Sequence, residues 1–340
     1  MKIYHSLWLF SLSLINSCAG SGSGFNDAPA LDPVFYNQIW MDSVPDETPL
    51  SAITIPGTHD SLSLYGGPLA ECQVWTLEKQ LNVGIRYFDV HAGIWLPNQK
   101  LIYIRDSHWM FWQRTHLDEV LSIMTNYLDS HRSETVLLKV SLHGILQDKV
   151  AKLLMELIKK YTDKIWTGLS VPTMKQARGK IVFLHSKKIR VGAENHKSHF
   201  FENDQLKNVE VKISHIRSHF CGHYIVVTEN AASLIKSPKT LAQKVNKQIF
   251  DLVEKHKKNL LHQRCLGVLS LNFPSADLIK AIVGTEPCRC GKTGRNGQQT
   301  TIEPLNGPVS EPTPATVTNT CDSAHTRTNT CDSAHTRTNT

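Results

Sequence analysis

Beyond its first residues the chain has no apolar run near the ~18 residues needed to cross a bilayer, which excludes a polytopic membrane protein. It lacks a Gly-rich dinucleotide fingerprint and a Walker loop, so nothing in it supports a nucleotide-binding open sheet. It also lacks a basic run interleaved with aromatics and any zinc-finger spacing, and no nucleic-acid partner is expected. No Asn-x-Ser/Thr sequon occurs, so conventional N-glycosylation is not expected. Cysteine is sparse, with eight in 340 residues. Cys72, Cys221 and Cys265 fall in the body of the chain, Cys288 and Cys290 just after it, and Cys18, Cys321 and Cys331 near the ends. The odd number in the body leaves one thiol free or paired with Cys288 or Cys290.

What is present is ordinary for a globular protein: 41% apolar residues supply a core, and 20% charged residues do not suggest disorder. Lys2, an apolar stretch from Leu7 to Ile15 and small residues through Gly20 read as a signal peptide over residues 1–19, so the mature protein is expected to be secreted and extracellular. A lipidated Cys18 is the alternative for that segment. From Thr285 onward Gly, Pro, Thr and Asn dominate, and "CDSAHTRTNT" occurs twice without change, so residues 285–340 read as a disordered low-complexity tail. The tail carries five basic and five acidic side chains, which leaves the excess of the +7 net charge on the body. A mildly basic body suits an anionic membrane or a phosphate-bearing substrate.

Between Leu31 and Gly284 short β-branched runs alternate with helical patterns. The runs are residues 52–56, 85–90, 101–104, 135–142, 180–185, 224–228 and 266–273. The helical patterns cover Leu77 to Leu81, Leu117 to Leu128, Ile145 to Tyr161 and Leu241 to Leu260. Such alternation implies parallel strands with crossover helices, and seven strands in this length favour a (β/α) barrel. Catalytic residues of a barrel lie at the C-terminal ends of its strands. The first run ends in Pro56-Gly57-Thr58-His59-Asp60; the second projects Asp89 and His91 from one face; the third delivers Asp106 and His108; the last ends in Asn272. Two histidines at one barrel mouth are the parts of an acid and base pair working near neutral pH. Lys139, within "TVLLKVSL", is the candidate substrate-binding cation.

"SAITIPGTHDSLSL", "LEKQLNVGIRYFDVHAG", "LIYIRDSH", "LDEVLSIMTNYLDSHRSETVLLKV" and "ARGKIVFL" resemble the X domain of phosphatidylinositol-specific phospholipase C in its small, secreted, single-domain form. The resemblance covers about Trp40 to Val283. It implies a distorted, incompletely closed TIM barrel over residues 31–284 that cleaves phosphatidylinositol, or a glycosyl-phosphatidylinositol (GPI) anchor, to diacylglycerol and an inositol phosphate. His59 matches the general base that activates the inositol 2-hydroxyl. His108 matches the general acid, Asp60 the carboxylate associated with it, and Asp89 an acidic residue beside the phosphate. Trp75 matches an aromatic pressed into the membrane, and Trp109 and Trp112 of "HWMFWQR" are further candidates for membrane contact.

Two positions depart from the family pattern. His91 stands where metal-independent bacterial members carry arginine and calcium-dependent enzymes carry an acidic ligand, so Asp60, Asp89 and His91 are a candidate set for a divalent cation such as calcium. A bacterial-type member requires no cofactor. Asn272 stands where the family places an aspartate that orients the base, and an amide cannot stabilise an imidazolium electrostatically. The expected partner is a phosphatidylinositol-containing membrane surface, met by a monomer. The alternatives are a catalytically silent barrel that binds inositol lipids or membranes, and a related TIM-barrel glycerophosphodiesterase.

Overall fold

A computed structural model describes residues 22–290, apart from 109, 187–188, 190, 200, 203–204, 207, 209–210, 214–220, 230–236 and 259–264. The signal segment, Trp109, the basic cluster Lys187, Lys188 and Arg190, and the duplicated tail lie outside the described residues. By its internal contacts the chain divides into Met1–Gly291 and Lys292–Thr340.

Twelve strands are named in chain order: β1 (Ile55–Thr58), β2 (Tyr87–Trp95), β3 (Asn98–Arg105), β4 (Trp112–His116), β5 (Val136–Leu142), β6 (Ile165–Trp166), β7 (Ile181–Phe183), β8 (Asn195–Ser198), β9 (Phe201–Glu202), β10 (Gln205–Leu206), β11 (Ile225–Glu229) and β12 (Val268–Leu271). The principal sheet runs β6-β7-β5-β2-β1-β12-β11-β8, with every neighbouring pair parallel. The parallel bridge Leu184–Ala193 then brings the end of β7 against the chain entering β8. The Gly192 and Glu194 N–H groups add bonds to the Thr167 and Leu169 carbonyls past β6; a ring whose last seam is this short, where the others are ladders, is an incompletely closed TIM barrel. Beyond β8, β9 and β10 form a small antiparallel pair.

Helices α1 (Leu77–Val83), α2 (Leu117–Ser130), α3 (Gln147–Lys160), α4 (Met174–Ala177), α5 (Pro238–Lys258) and α6 (Ala276–Val283) follow from the 3.6-residue spacing of their apolar positions. Leu117, Val120, Leu121, Met124 and Leu128 form the buried stripe of α2, and Val150, Leu154 and Ile158 that of α3. His116 caps α2 by accepting the Glu119 N–H at 3.1 Å, and Ser275 caps α6 by accepting the Leu278 N–H at 3.3 Å. None of the described helices is long and apolar enough to cross a membrane.

Four local expectations are corrected. Residues 101–104 are no barrel strand: β3 returns antiparallel to β2, and β4 pairs antiparallel with β3. The seventh place in the ring belongs to β8, whose Asn-His-Lys-Ser sequence carries no apolar signal. β1 does not stop at Pro56-Gly57 but continues through Thr58. The N–H groups of Ile55 and His59 bond the Gly267 and Leu271 carbonyls on the β12 side, so the missing N–H of Pro56 faces β2 below its first paired residue. Residues 285–290, expected in the tail, pack on the barrel. Cys288 is disulfide-bonded to Cys265 and Cys290 to Cys221, which leaves Cys72 as the free, buried thiol among the described residues.

The core holds one buried ion pair that the sequence did not announce. Arg86 Nε donates to Glu134 Oε2 at 2.9 Å, with both side chains inaccessible to solvent. The remaining guanidinium hydrogens reach the Leu81, Ile85 and Gln38 carbonyls and the Tyr127 hydroxyl. Such full satisfaction is what makes a buried charge tolerable.

Candidate active site

The base candidate is fixed from beneath by β1 and β2. Ser61, one turn past β1, donates its hydroxyl to the Thr58 carbonyl and accepts the Asp89 N–H at 2.8 Å, while the Ser61 N–H reaches the Asp89 carbonyl. Gln73 donates to the His59 carbonyl and to the Leu271 carbonyl at 2.8 Å each, tying the end of β1 to β12. These bonds set His59 Nδ1 3.1 Å from Asp89 Oδ2. A carboxylate at Nδ1 fixes that nitrogen as the donor, so Nε2 carries the lone pair.

Asp89 is the hub. Besides His59, its carboxylate faces His91 Nε2 at 3.5 Å and Lys139 Nζ at 3.8 Å. Burial alone would raise its pKa, but His91, Lys139 and the hydrogen bond from His59 outweigh it and hold the carboxyl well below the usual range. Burial works against the charged form of His91 as well, yet the Asp89 carboxylate lifts it above the ordinary histidine value. Lys139 Nζ donates to Glu229 Oε1 at 2.6 Å, and Lys197 Nζ reaches Glu229 Oε2 at 2.9 Å. Two ammonium groups and two carboxylates therefore alternate across the ends of β2, β5, β8 and β11.

The acid candidate arrives by a different route. β2 and β3 form a hairpin, and the chain leaving β3 at Arg105 turns through Asp106, Ser107 and His108. Asp106 is fully buried and organises this turn, accepting the N–H groups of His108 at 3.0 Å and Phe111 at 2.5 Å. Asp60, held at a positive φ of 46° that Asp tolerates better than most residues, accepts the Ser107 N–H at 2.7 Å. Asp60 thus tethers the backbone beside His108. Cys72 Sγ lies 3.8 Å from the same carboxylate, and burial together with Asp60 and Asp106 pushes its thiol pKa well up.

Of the residues singled out from sequence, His59, Asp89, His91 and Lys139 meet by direct contact, and Asp60 joins them to the His108 turn. Asn272 is fully buried at the end of β12, where its carbonyl accepts the Asn246 side-chain N–H at 2.9 Å. The carboxylate on His59 Nδ1 is that of Asp89, so an amide at 272 does not leave the base without one. The set Asp60, Asp89 and His91 does not fit a divalent cation. Asp60 Oδ2 is turned to the Ser107 N–H, Lys139 stands against Asp89, and no group of three or more metal-ligating side chains converges among the described residues.

The aromatic expectations are corrected too. Trp75 is 4% exposed, packed in the core under α1 with its Nε1 directed to the Ala30 carbonyl, and is no surface ring. Trp112 is half-buried on β4, covered by the Arg105 guanidinium at 4.3 Å and met edge-on by Tyr103. The exposed apolar side chains nearest the His108 turn are instead Met110 and Phe111, with Tyr65 and Leu69 beside them across Gly66. His143, Glu229 and Lys197 were missed. The first was legible, since Lys139, Ser141 and His143 alternate onto one face of β5.

A curled ring of parallel strands with histidines and carboxylates gathered at its C-terminal edge defines the class: an incomplete TIM barrel with a cluster of ionisable side chains at its mouth. Known proteins give the comparison. The model of the phosphatidylinositol-specific phospholipase C X domain matches residues 47–188. A 1-phosphatidylinositol phosphodiesterase of Listeria monocytogenes is 29% identical over 278 residues, spanning 72% of this chain and 83% of the relative. One from Staphylococcus aureus is 27% identical over 159 residues, spanning 43% and 50%. The phosphatidylinositol-specific phospholipase C structure from L. monocytogenes superposes with a TM-score of 0.60 at 25% identity, covering 73% of this chain and 98% of that one. An S. aureus phosphatidylinositol-specific phospholipase C, at 17% identity and a TM-score of 0.55, shares the fold.

Proposed function

We propose that the protein is a secreted phosphatidylinositol phosphodiesterase of the phospholipase C type, working as a monomer at a membrane surface. The observation that carries the reading is the His59–Asp89 contact, which leaves His59 Nε2 as a base at the barrel mouth. Nε2 takes the proton of the inositol 2-hydroxyl, and the freed oxygen attacks the phosphorus of the same molecule. The glycerol oxygen leaves with a proton from His108, giving diacylglycerol and an inositol cyclic phosphate. Nucleophile and phosphate share one ring, so the step is intramolecular and profits from proximity. GPI anchors present the same phosphodiester and are the second substrate class.

The approach to lipid is supported by where the apolar surface lies. β2 and β3 overshoot the sheet, and the exposed Trp95 and Leu96 cap that hairpin; Ile145 and Leu146 are exposed just past β5. Together with Tyr65, Leu69, Met110 and Phe111 they ring the catalytic end. Exposed apolar side chains concentrated on one face mark a lipid or protein contact, and a net charge of +7 favours an anionic bilayer. Secretion is supported by the two disulfides, which persist in oxidising compartments.

The test is release of inositol cyclic phosphate from phosphatidylinositol vesicles. The wild type turns over with or without chelator, and His59→Ala and His108→Ala abolish turnover. Activity surviving either substitution sinks the assignment, and vesicle binding without turnover by the wild type establishes a silent lipid-binding barrel instead.

A further inference from the structure

His91 does not stand alone at the end of β2. Its Nδ1 lies 2.5 Å from His143 Nε2, and the rings are inclined by only 20° with centroids 4.7 Å apart, the arrangement of two imidazoles meeting edge to edge through their nitrogens. His143 reaches this place because it directly follows β5, where its own N–H bonds the Ala92 carbonyl at 2.9 Å. On its other side, His91 Nε2 is buried and makes no hydrogen bond, with Asp89 Oδ2 at 3.5 Å. Asp89 Oδ1 is likewise buried without a hydrogen bond, Lys139 being 3.8 Å away. Two orphaned polar atoms side by side, next to the base, are the signature of a site that a polar ligand completes.

We propose that His143 is a positioning residue of the phosphodiesterase site, fixing His91 so that its Nε2 keeps a hydrogen beside Asp89, free to be given to a non-bridging oxygen of the substrate phosphate.

The reasoning is one of tautomers. When His143 Nε2 donates to His91 Nδ1, the hydrogen of a neutral His91 is left on Nε2. When His91 is charged, Nδ1–H donates to His143 and Nε2 still carries a hydrogen. The third arrangement puts a bare Nε2 lone pair against the Asp89 carboxylate, which charge repulsion disfavours. His143 and Asp89 therefore make Nε2 a donor in both protonation states. The other charged groups around His91 are Lys139 on β5, Asp60 beyond β1 and Arg105, its register partner on β3. A donor aimed at the phosphate serves the charge that accumulates on the non-bridging oxygens during attack. The site then meets with a neutral or charged imidazole the need that an arginine meets in the bacterial pattern.

The inference rests on the phosphodiesterase reading, and the experiment separates the two. His143→Ala is expected to lower kcat/KM about ten- to hundredfold, as loss of a group that orients a functional histidine does. His143→Gln, whose longer side chain carries an amide N–H to the place of the imidazole Nε2 and donates to His91 Nδ1, restores most of that loss. Imidazole 15N shifts report His91 with hydrogen on Nε2 in the wild type and His143→Gln, and a mixed tautomer in His143→Ala. Inorganic phosphate binding, measured by calorimetry, weakens in His143→Ala in parallel, and this arm needs no turnover. Equal kcat/KM and phosphate affinity in wild type and His143→Ala overturn the proposal. So does equal loss in the alanine and glutamine variants, which marks a merely structural role. A wild type that binds phosphate with this His143 dependence yet releases no cyclic phosphate refutes the phosphodiesterase reading alone.

Discussion

Asp89→Asn separates the two accounts of how the base is oriented. The substitution keeps the shape of the side chain and Lys139 keeps Glu229 at 2.6 Å, so the barrel is expected to fold. What changes is the partner of His59: the carboxylate 3.1 Å from Nδ1 becomes an amide, which no longer selects the Nε2 lone pair or stabilises the imidazolium formed when the base takes its proton. The comparable change in a serine-protease triad costs about ten-thousandfold, or about 5 kcal/mol of barrier. Asp89 also faces His91 and Lys139, so its loss removes more than one contact, and a fall of about a thousand- to ten-thousandfold in kcat is expected. The assay is cyclic phosphate release from phosphatidylinositol, with thermal unfolding as the folding control. Asn272→Asp is the counterpart: it adds a second buried carboxylate level with Asp89 and is expected to lower activity. Retention of roughly a tenth or more of the wild-type rate by Asp89→Asn, or a gain from Asn272→Asp, refutes the placement of the orienting carboxylate on β2.

Arg86→Ala leaves Glu134 buried and uncompensated, and a loss of about 3–5 kcal/mol in denaturant-measured stability is expected; an unchanged midpoint argues against the core ion pair. On the rim, Phe111→Ser or Leu96→Ser removes one inserting side chain, worth about 1.5–3 kcal/mol when fully buried. Vesicle partitioning falls about ten- to hundredfold while hydrolysis of a soluble inositol phosphodiester is unchanged; equal loss on both substrates disproves a membrane role. Stability carries a pH signature of the hub. The lowered Asp89 pKa contributes stability present above the unfolded value of about 3.9 and lost as pH falls through the folded value. The raised His91 pKa contributes stability present below about 6.5 and lost as pH rises through its folded value. Denaturation midpoints across pH that rise above neutrality contradict the His91 part.

Elements with strong periodicity were legible in the sequence. The stripe of α2 and the runs that became β2, β5 and β12 needed only the alternation of apolar residues. Strand direction was not, because a period of two is the same in a parallel strand and a hairpin arm. The spacing held the answer: ten residues between Val90 and Leu101 are too few for a crossover, which needs a dozen or more. β8 gave no signal because its Asn195, His196, Lys197 and Ser198 stand in the ring without apolar side chains. Trp75 was misplaced for a different reason: its place at the membrane came from the resemblance alone, and here the ring packs in the core. At the site, His59, Asp89, His91 and Lys139 were found because they sit at the ends of apolar runs. Glu229 also sits at such an end, and only the packing of the strands shows that it meets Lys139, whereas His143 shares the alternation of Lys139 and Ser141.

The antiparallel β2–β3 arm has a consequence for how such a site changes. His59, the proposed base, is welded into the ring of parallel hydrogen bonds, whereas His108, the proposed acid, rides on an outgrowth of one stave, moored by Asp60 and Asp106. Its reach can be lengthened, shortened or retuned residue by residue without opening the barrel. Substrate reach and catalytic core are therefore separable parts of one chain, and the arm is the natural place to graft a different specificity.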